Sequence, residues 1–440
     1  MANKDKKFNI ASGAAGQKMY NLIKRLYPIC RSITGEGARE TLKIISQKIS
    51  IKIHEVPSGT KVFDWTVPKE WNIKDAYVKN HNGKKVIDFK KSNIHVLNYS
   101  IPVKKKMKLK ELKSHLFTLP DYPDWIPYLT SYYKEEWGFC LSHKEFKKLK
   151  EGIYEVFIDS TLKKGNLTYG ELYLPGRKRD EILLTCYICH PSLCNDNLSG
   201  VALLTFLANS LKVLKLNYSY RFLFIPETIG AITWLKLNEA GVPNIKLGLV
   251  VTCVGDSGDL TYKKTRAGDT LLDKAVEKVL SDSGDQHKII DFFPSGSDER
   301  QFSSPGFKLK MGSLMRTPYG CYPEYHTSAD NLDFVKAEKL QDSLNKYLEI
   351  IYILETNAKF ISLNQKCEPQ LGRRGIYSTI GGKKNQGISQ KALLWVLNFS
   401  DGEHSLLDIA ARSGINFRKI KEAADLLLLK NLLKKENKTD

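Results

Sequence analysis

Residues 183–200 read LLTCYICHPSLCNDNLSG, and the fold turns on how this stretch is taken. Two patterns overlap in it. CYICH (186–190) matches the Cys-x-x-Cys-His spacing of covalent haem attachment. The alternative is an apolar strand ending in His190, then Asp196 six residues on, then the helix-like run GVALLTFLANSLKVL, which is how a strand and its crossover helix are written in a parallel sheet. The haem reading fails. Cys186 and Cys189 are an odd number of residues apart at the end of a strand, so their side chains face opposite ways. The same alternation argues against a thiolate site shared by Cys186, Cys189, Cys194 and His190. Haem attachment also needs export, and the N-terminal MANKDKKFNIASGAAGQK has lysines without the apolar stretch of a secretory signal. No apolar run approaches the roughly 20 residues that cross a bilayer. A cytoplasmic location with reduced cysteines is therefore expected.

Working outward, EILLTCYI, YRFLFIP and KLGLVVTCV alternate with the helical runs GVALLTFLANSLKVL and GAITWLKLNEAG. A helix at 268–282, a strand near 308–315 and a helix at 335–354 extend the pattern. Upstream, GQKMYNLIKRLYPI and EGARETLKIISQKI each carry apolar residues three and four apart, which predicts two helices around the loop CRSITG. Between the two regions lie short strand-like runs: VFDWTV, KKVIDF, HVLNYS, YEVFID and TYGELYL. The expected class is α/β. A mixed sheet with helices on both faces forms from residues 1–57 and 176–380, interrupted by a β-rich inserted domain at 58–175. GGKKNQG (381–387) reads as a linker, and 381–440 as three helices with a glycine turn at Gly414, in the manner of a winged helix-turn-helix.

The chain is strongly basic, with a net charge of +20 and a lysine cluster at Lys104, Lys105, Lys106, Lys108 and Lys110. Such totals describe a solvated surface as readily as a polyanion site. The presumed recognition helix, 416–426, mixes acids with its bases, so a structural or protein-contact role is favoured over nucleic acid.

In open α/β sheets ligands gather at the carboxyl ends of strands. His190 and Asp196 follow one strand, Glu227 follows YRFLFIP, and His326 follows the irregular segment TPYGCYPEY. Imidazole nitrogen and carboxylate oxygen hold zinc while leaving a position for water, and a neighbouring carboxylate can take that water's proton. Each residue alone has a plainer reading: a structural histidine, an N-cap aspartate, a glutamate capping its own helix. Together, at three strand ends, they favour a metal. The turn into the helix at Ser199-Gly200 is expected to offer free backbone amides to a substrate. Arg316, Tyr319, Tyr322 and Tyr325, just before His326, are candidate substrate contacts, the rings being suited to stacking on a sugar.

HPSLCNDNLSGVALL, FLFIPETIGAI, SGSDERQF and EYHTSADN together resemble the zinc-dependent aminopeptidases of the di-zinc exopeptidase clan. The chain also resembles, over nearly its whole length, the bacterial polysaccharide biosynthesis proteins with an aminopeptidase-like domain. The resemblance implies that His190, Asp196 and His326 are metal ligands and that Glu227 is the general base. This chain departs from the pattern at three points. Thr228 stands where a second glutamate is expected, Thr252 or Cys253 where an aspartate is, and Ser297-Asp298-Glu299 where Ser-Asp-His is. These losses imply one zinc ion rather than two.

Three functions follow, the least favoured being transcriptional regulation through salt-sensitive DNA binding by the C-terminal segment. Of the remaining two, one is a zinc-dependent, aminopeptidase-like hydrolase that acts on the amino-terminal residue or amide of a small, sugar-linked substrate in surface polysaccharide biosynthesis. The other is a catalytically degenerate zinc-binding scaffold that contacts a protein or polysaccharide-assembly partner. The expected partners are a small-molecule or peptide-like substrate and a protein at the winged helix. No membrane is expected, and self-association is compatible with either function.

Overall fold

The computed structural model describes residues 14–376 and 390–436. The linker 381–387 lies outside them. By contacts the chain divides into two units, Met1–Gly268 with His287–Asn345, and Asp269–Gln286 with Lys346–Asp440.

The first unit is organised by an eight-stranded sheet: β1 (Lys52–Pro57), β2 (Asn166–Leu174), β3 (Glu181–Tyr187), β4 (Ser219–Ile225), β5 (Ile245–Val250), β6 (Leu260–Lys263), β7 (His287–Ile290) and β8 (Met311–Met315). Their order is β1-β2-β4-β3-β5-β8-β6-β7. The central four, β4-β3-β5-β8, are parallel, whereas β1 with β2, β2 with β4 and β8 with β6 pair antiparallel. The sheet is thus mixed, and β3 is buried along its whole length, as an apolar run covered on both faces must be.

Helices α1 (Ala15–Leu26) and α2 (Glu36–Ser46) form where the apolar spacing places them. α1 buries Met19, Leu22, Ile23 and Leu26 on one stripe. It packs on α3 (Gly200–Leu211), which lies against β3, while α2 packs on β2. On the other face of β3, Leu183 and Tyr187 share a core with Ile232 and Trp234 of α4 (Ile229–Leu237).

Between β1 and β2 the chain builds a second sheet from Glu70–Lys79, Lys85–Asp88, Val103–Lys108 and Ile153–Lys163, over a core of its own that includes Val78, Ile87, Phe139, Val156 and Ile158. TYGELYL belongs to the large sheet as β2. HVLNYS forms isolated bridges, Val96 with Phe139 and Asn98 with Thr130, rather than a strand. Tyr99 has a positive φ of 72° there, which breaks the extended run. The two roots of this segment are clamped by Glu70, whose carboxylate accepts two hydrogen bonds from Arg39 of α2 (2.9 and 2.6 Å) and one from the backbone N–H of Asn166.

In the second unit, helices Gln390–Phe399, Leu406–Ser413 and Phe417–Leu429 stand beside a three-stranded sheet of Lys359–Ser362, Asp401–Ser405 and Leu433–Lys435. Gly414 ends the middle helix in the left-handed conformation that glycine favours. Arg418, near the start of the third helix, is paired with Glu349 and lies over the Tyr352 ring, and Lys421 is paired with Asp425.

Candidate metal centre

β3 delivers His190 just past its carboxyl end, and the chain then turns through residues 194–199 before entering α3. Within that turn Asp196 and Asn197 leave helical geometry. Side chains hold it in this shape. The Asp330 carboxylate accepts the backbone N–H of Asn195 (2.6 Å) and of Asp196 (2.9 Å), and Asn197 Oδ1 accepts that of Gly200 (3.1 Å). Of the amides expected to be free for a substrate at Ser199-Gly200, that of Gly200 is therefore already used. Gly200 is required by space: a Cβ there would meet Asn197 Oδ1 at 2.2 Å and the Val251 carbonyl at 2.3 Å.

His190, Asp196 and His326 come together although the sequence separates them widely. One ligand atom from each lies within 4.8 Å of the others. His190 Nε2 is 3.9 Å from Asp196 Oδ2 and also 3.9 Å from Glu227 Oε2. His326 Nε2 approaches Asp196 Oδ2 to 2.9 Å, yet the pair lacks the alignment of a hydrogen bond, and both atoms are buried without a hydrogen-bond partner among the described residues. Buried polar atoms are ordinarily satisfied. Unpartnered nitrogen and oxygen atoms facing one another are what a bound cation would satisfy, and neutral imidazole with carboxylate is a zinc donor set. Burial is uneven across the centre: the side chains of His190 and Asp196 are 5% and 0% exposed, those of Glu227 and His326 22% and 36%.

The other Asp196 oxygen, Oδ1, accepts a hydrogen bond from the Tyr187 hydroxyl, whose oxygen lies 2.7 Å from Thr252 Oγ1. Thr252 and Cys253 offer only neutral groups on that side, and the Thr228 side chain carries no charge either. Cys189 is nearer than strand alternation suggested, because it lies beyond the end of β3. Its Sγ is 3.5 Å from His190 Nδ1 and accepts from the Glu227 N–H at 3.3 Å, so the thiol meets one ring nitrogen while the carboxylates of Asp196 and Glu227 face the other. Burial holds the Cys189 thiol well above its ordinary pKa, with the charge of Glu227 adding to the effect.

Negative charge accumulates here. Burial, then Asp298 and Asp196, push the Glu227 carboxyl well above its ordinary range, with Arg300 opposing. Burial likewise lifts Asp298 to about 7 against the pull of the Thr228 N–H, which it accepts at 2.7 Å. His190 is lowered to about 4 by burial, partly offset by Asp196. Asp196 is pushed up by burial, but His190, His326 and Tyr187 outweigh this and leave it below its usual value. Ser192, Thr228, Cys253 and His326 all have positive φ, a conformation uncommon outside glycine that tends to cluster at working sites.

The candidate substrate contacts divide. Tyr325 stacks on His326, with centroids 4.0 Å apart. Tyr319 turns inward, its hydroxyl bonded to Lys263 and Glu299. Arg316 does not present its guanidinium to a substrate. It is 3% exposed and donates to Ser343, Gly258, Lys339 and Asp342. Arg31 is also buried and donates to the backbone carbonyl of His190 at 2.9 Å. Sequence reasoning passed over Tyr187, Asp330 and Tyr128. Only Asp330, an acid four residues after His326, carried a signal in the sequence.

Residues 20–357 match the family described as a domain of unknown function (DUF4910), and 359–435 match a winged helix-turn-helix. The chain is 60% identical over 423 residues to a Clostridium acetobutylicum protein named for polysaccharide biosynthesis and an aminopeptidase-like domain, covering 96% of this chain and 97% of that one. This chain belongs to that family. A crystal structure from Clostridium acetobutylicum, titled as a peptidase, superposes with a TM-score of 0.93 at 59% identity over 97% of each chain. The zinc aminopeptidase of Bacillus subtilis superposes with a TM-score of 0.56 at 12% identity, over 77% of this chain and 95% of that one. At that distance the likeness is one of fold. Members of this family thus carry an aminopeptidase-like domain built on the fold of zinc aminopeptidases, followed here by a winged helix.

Proposed function

We propose that this family member is a zinc-dependent hydrolase that cleaves an amide or removes an amino-terminal residue from a small, sugar-linked substrate in surface polysaccharide biosynthesis. The observation that carries the reading is the convergence of His190 Nε2, Asp196 Oδ2 and His326 Nε2, the last two unpartnered, beside the Glu227 carboxylate. Those three residues would hold one zinc ion. A bound zinc ion supplies a Lewis-acid charge that polarises a carbonyl and makes water easier to deprotonate. Glu227 takes the proton from water and returns it to the departing amine. Asp298, held against Thr228, fixes the Glu227 turn from behind. In this reading Tyr325 meets the sugar ring, and its stacking on His326 supports that role. The sugar connection is supported by the name of the Clostridium acetobutylicum relative.

In this reading residues 1–57 and 176–380 are the hydrolase domain, 58–175 its insertion and 381–440 the winged helix. Sheet membership supports an earlier return from the insertion, at β2, and the winged-helix match supports an earlier start, at 359. The internal pairing of Arg418 and Lys421 supports a protein-contact role for the winged helix over DNA. A cytoplasmic location is part of the proposal; no helix among the described residues is long and apolar enough to cross a membrane.

The test is Glu227→Gln, assayed with amino-acid amides and amino-sugar conjugates. Turnover is expected to fall at least about 100-fold with zinc content unchanged. Unchanged turnover refutes the role. A zinc-loaded wild type inert across the panel selects the non-catalytic scaffold instead.

A further inference from the structure

The segment between β1 and β2 reaches into the metal centre. Tyr128 donates its backbone N–H to the His326 carbonyl at 2.8 Å, Pro127 bridges Thr327, and the Ile126 N–H donates to Ser328 Oγ at 3.0 Å. These ties lay the Tyr128 ring against both histidines, its centroid 5.3 Å from that of His190 and 5.3 Å from that of His326. The ring is 3% exposed.

The only hydrogen bond of the Tyr128 hydroxyl among the described residues is the 3.2 Å contact with the Tyr132 hydroxyl. That contact consumes one of the two phenolic protons. The Tyr132 hydroxyl has no other partner among the described residues, so one proton of the pair lacks an acceptor. Leaving a buried donor unmade costs about 1–3 kcal/mol. The ring that carries this hydroxyl is the one laid against both histidines of the centre.

We propose, building on the hydrolase reading, that the inserted segment supplies a catalytic group: the Tyr128 hydroxyl donates to the carbonyl oxygen of the scissile amide and to the negative charge that grows on it. Water adds to the carbonyl carbon and the carbonyl π electrons move onto oxygen. Glu227 accepts the proton of water, then gives it to the amine as the C–N bond breaks. Tyr128 keeps its proton throughout, so amide and water yield acid and amine. A donor aimed at developing charge contributes mainly to kcat.

The test compares zinc-loaded full-length wild type, Tyr128→Phe and Tyr132→Phe for zinc content, for affinity toward inorganic phosphate as a tetrahedral oxyanion, and for turnover of L-leucinamide. Tyr128→Phe keeps the ring contacts and loses one oxygen. Its zinc content is expected to match wild type, with phosphate affinity down about tenfold and kcat down about 100-fold at a KM within about threefold. Tyr132→Phe leaves the Tyr128 proton in place and is expected to lose less than about threefold in either. Phosphate affinity or kcat of Tyr128→Phe equal to wild type overturns the proposal, as do equal losses in the two variants. Zinc without phosphate binding in the wild type overturns it alone. A wild type without zinc overturns the hydrolase reading as well.

Discussion

The Tyr187 hydroxyl donates to one oxygen of Asp196 and leaves the other to face His190 and His326. A carboxylate held in this way presents one oxygen to one cation, and a second ion on the Tyr187 side would meet only neutral hydroxyls and a thiol. Outer partners of this kind orient a ligand, and their loss typically costs 10–100-fold in metal affinity. Tyr187→Phe is therefore expected to weaken zinc binding by about 10-fold or more while the stoichiometry stays at one, as read by titration with a competing chelator. Wild-type affinity in the variant would show that Asp196 needs no such partner.

Asp330 works on the same residue through the backbone. Its two oxygens take the N–H groups of Asn195 and Asp196, and its own carbonyl takes that of Cys194. Asp330→Ala leaves two buried donors unmade, at about 1–3 kcal/mol each. We expect a lower melting temperature together with zinc affinity reduced about 10-fold or more. Loss of stability without loss of zinc affinity would confine Asp330 to folding.

Glu70 clamps the roots of the inserted segment and gives a pH signature. The Arg39 guanidinium, helped by the Asn166 N–H and Asn72, outweighs burial and holds the Glu70 carboxyl at about 2, against an ordinary 4.5. A depressed folded value means that the contribution is present above pH 4.5 and lost as pH falls toward 2. Glu70→Gln is expected to lower unfolding free energy by about 2 kcal/mol at pH 7, with the difference shrinking steadily below about pH 4. A difference that is constant with pH would mean that charge plays no part.

These relationships also show where sequence reasoning stops. β3 was legible because a strand buried on both faces is apolar throughout, and His190 and Asp196 because they sit at its end. Helices α1 and α2 followed from their stripes. Tyr187 looked like one more core residue, since periodicity gives the face of a strand but not the partner of a hydroxyl. Asp330 and Tyr128 act on residues far along the chain, through contacts that only folding creates. Arg316, a cation among tyrosines, read as a pocket residue; spacing gave the helix that carries its partners Lys339, Asp342 and Ser343, but not its packing against Arg316.

The most direct measurement is anomalous scattering at the zinc edge from crystals of the native protein. One peak is expected per chain, bonded to His190 Nε2, Asp196 Oδ2 and His326 Nε2. No peak, two peaks, or a single peak ligated by Cys189 would contradict the account.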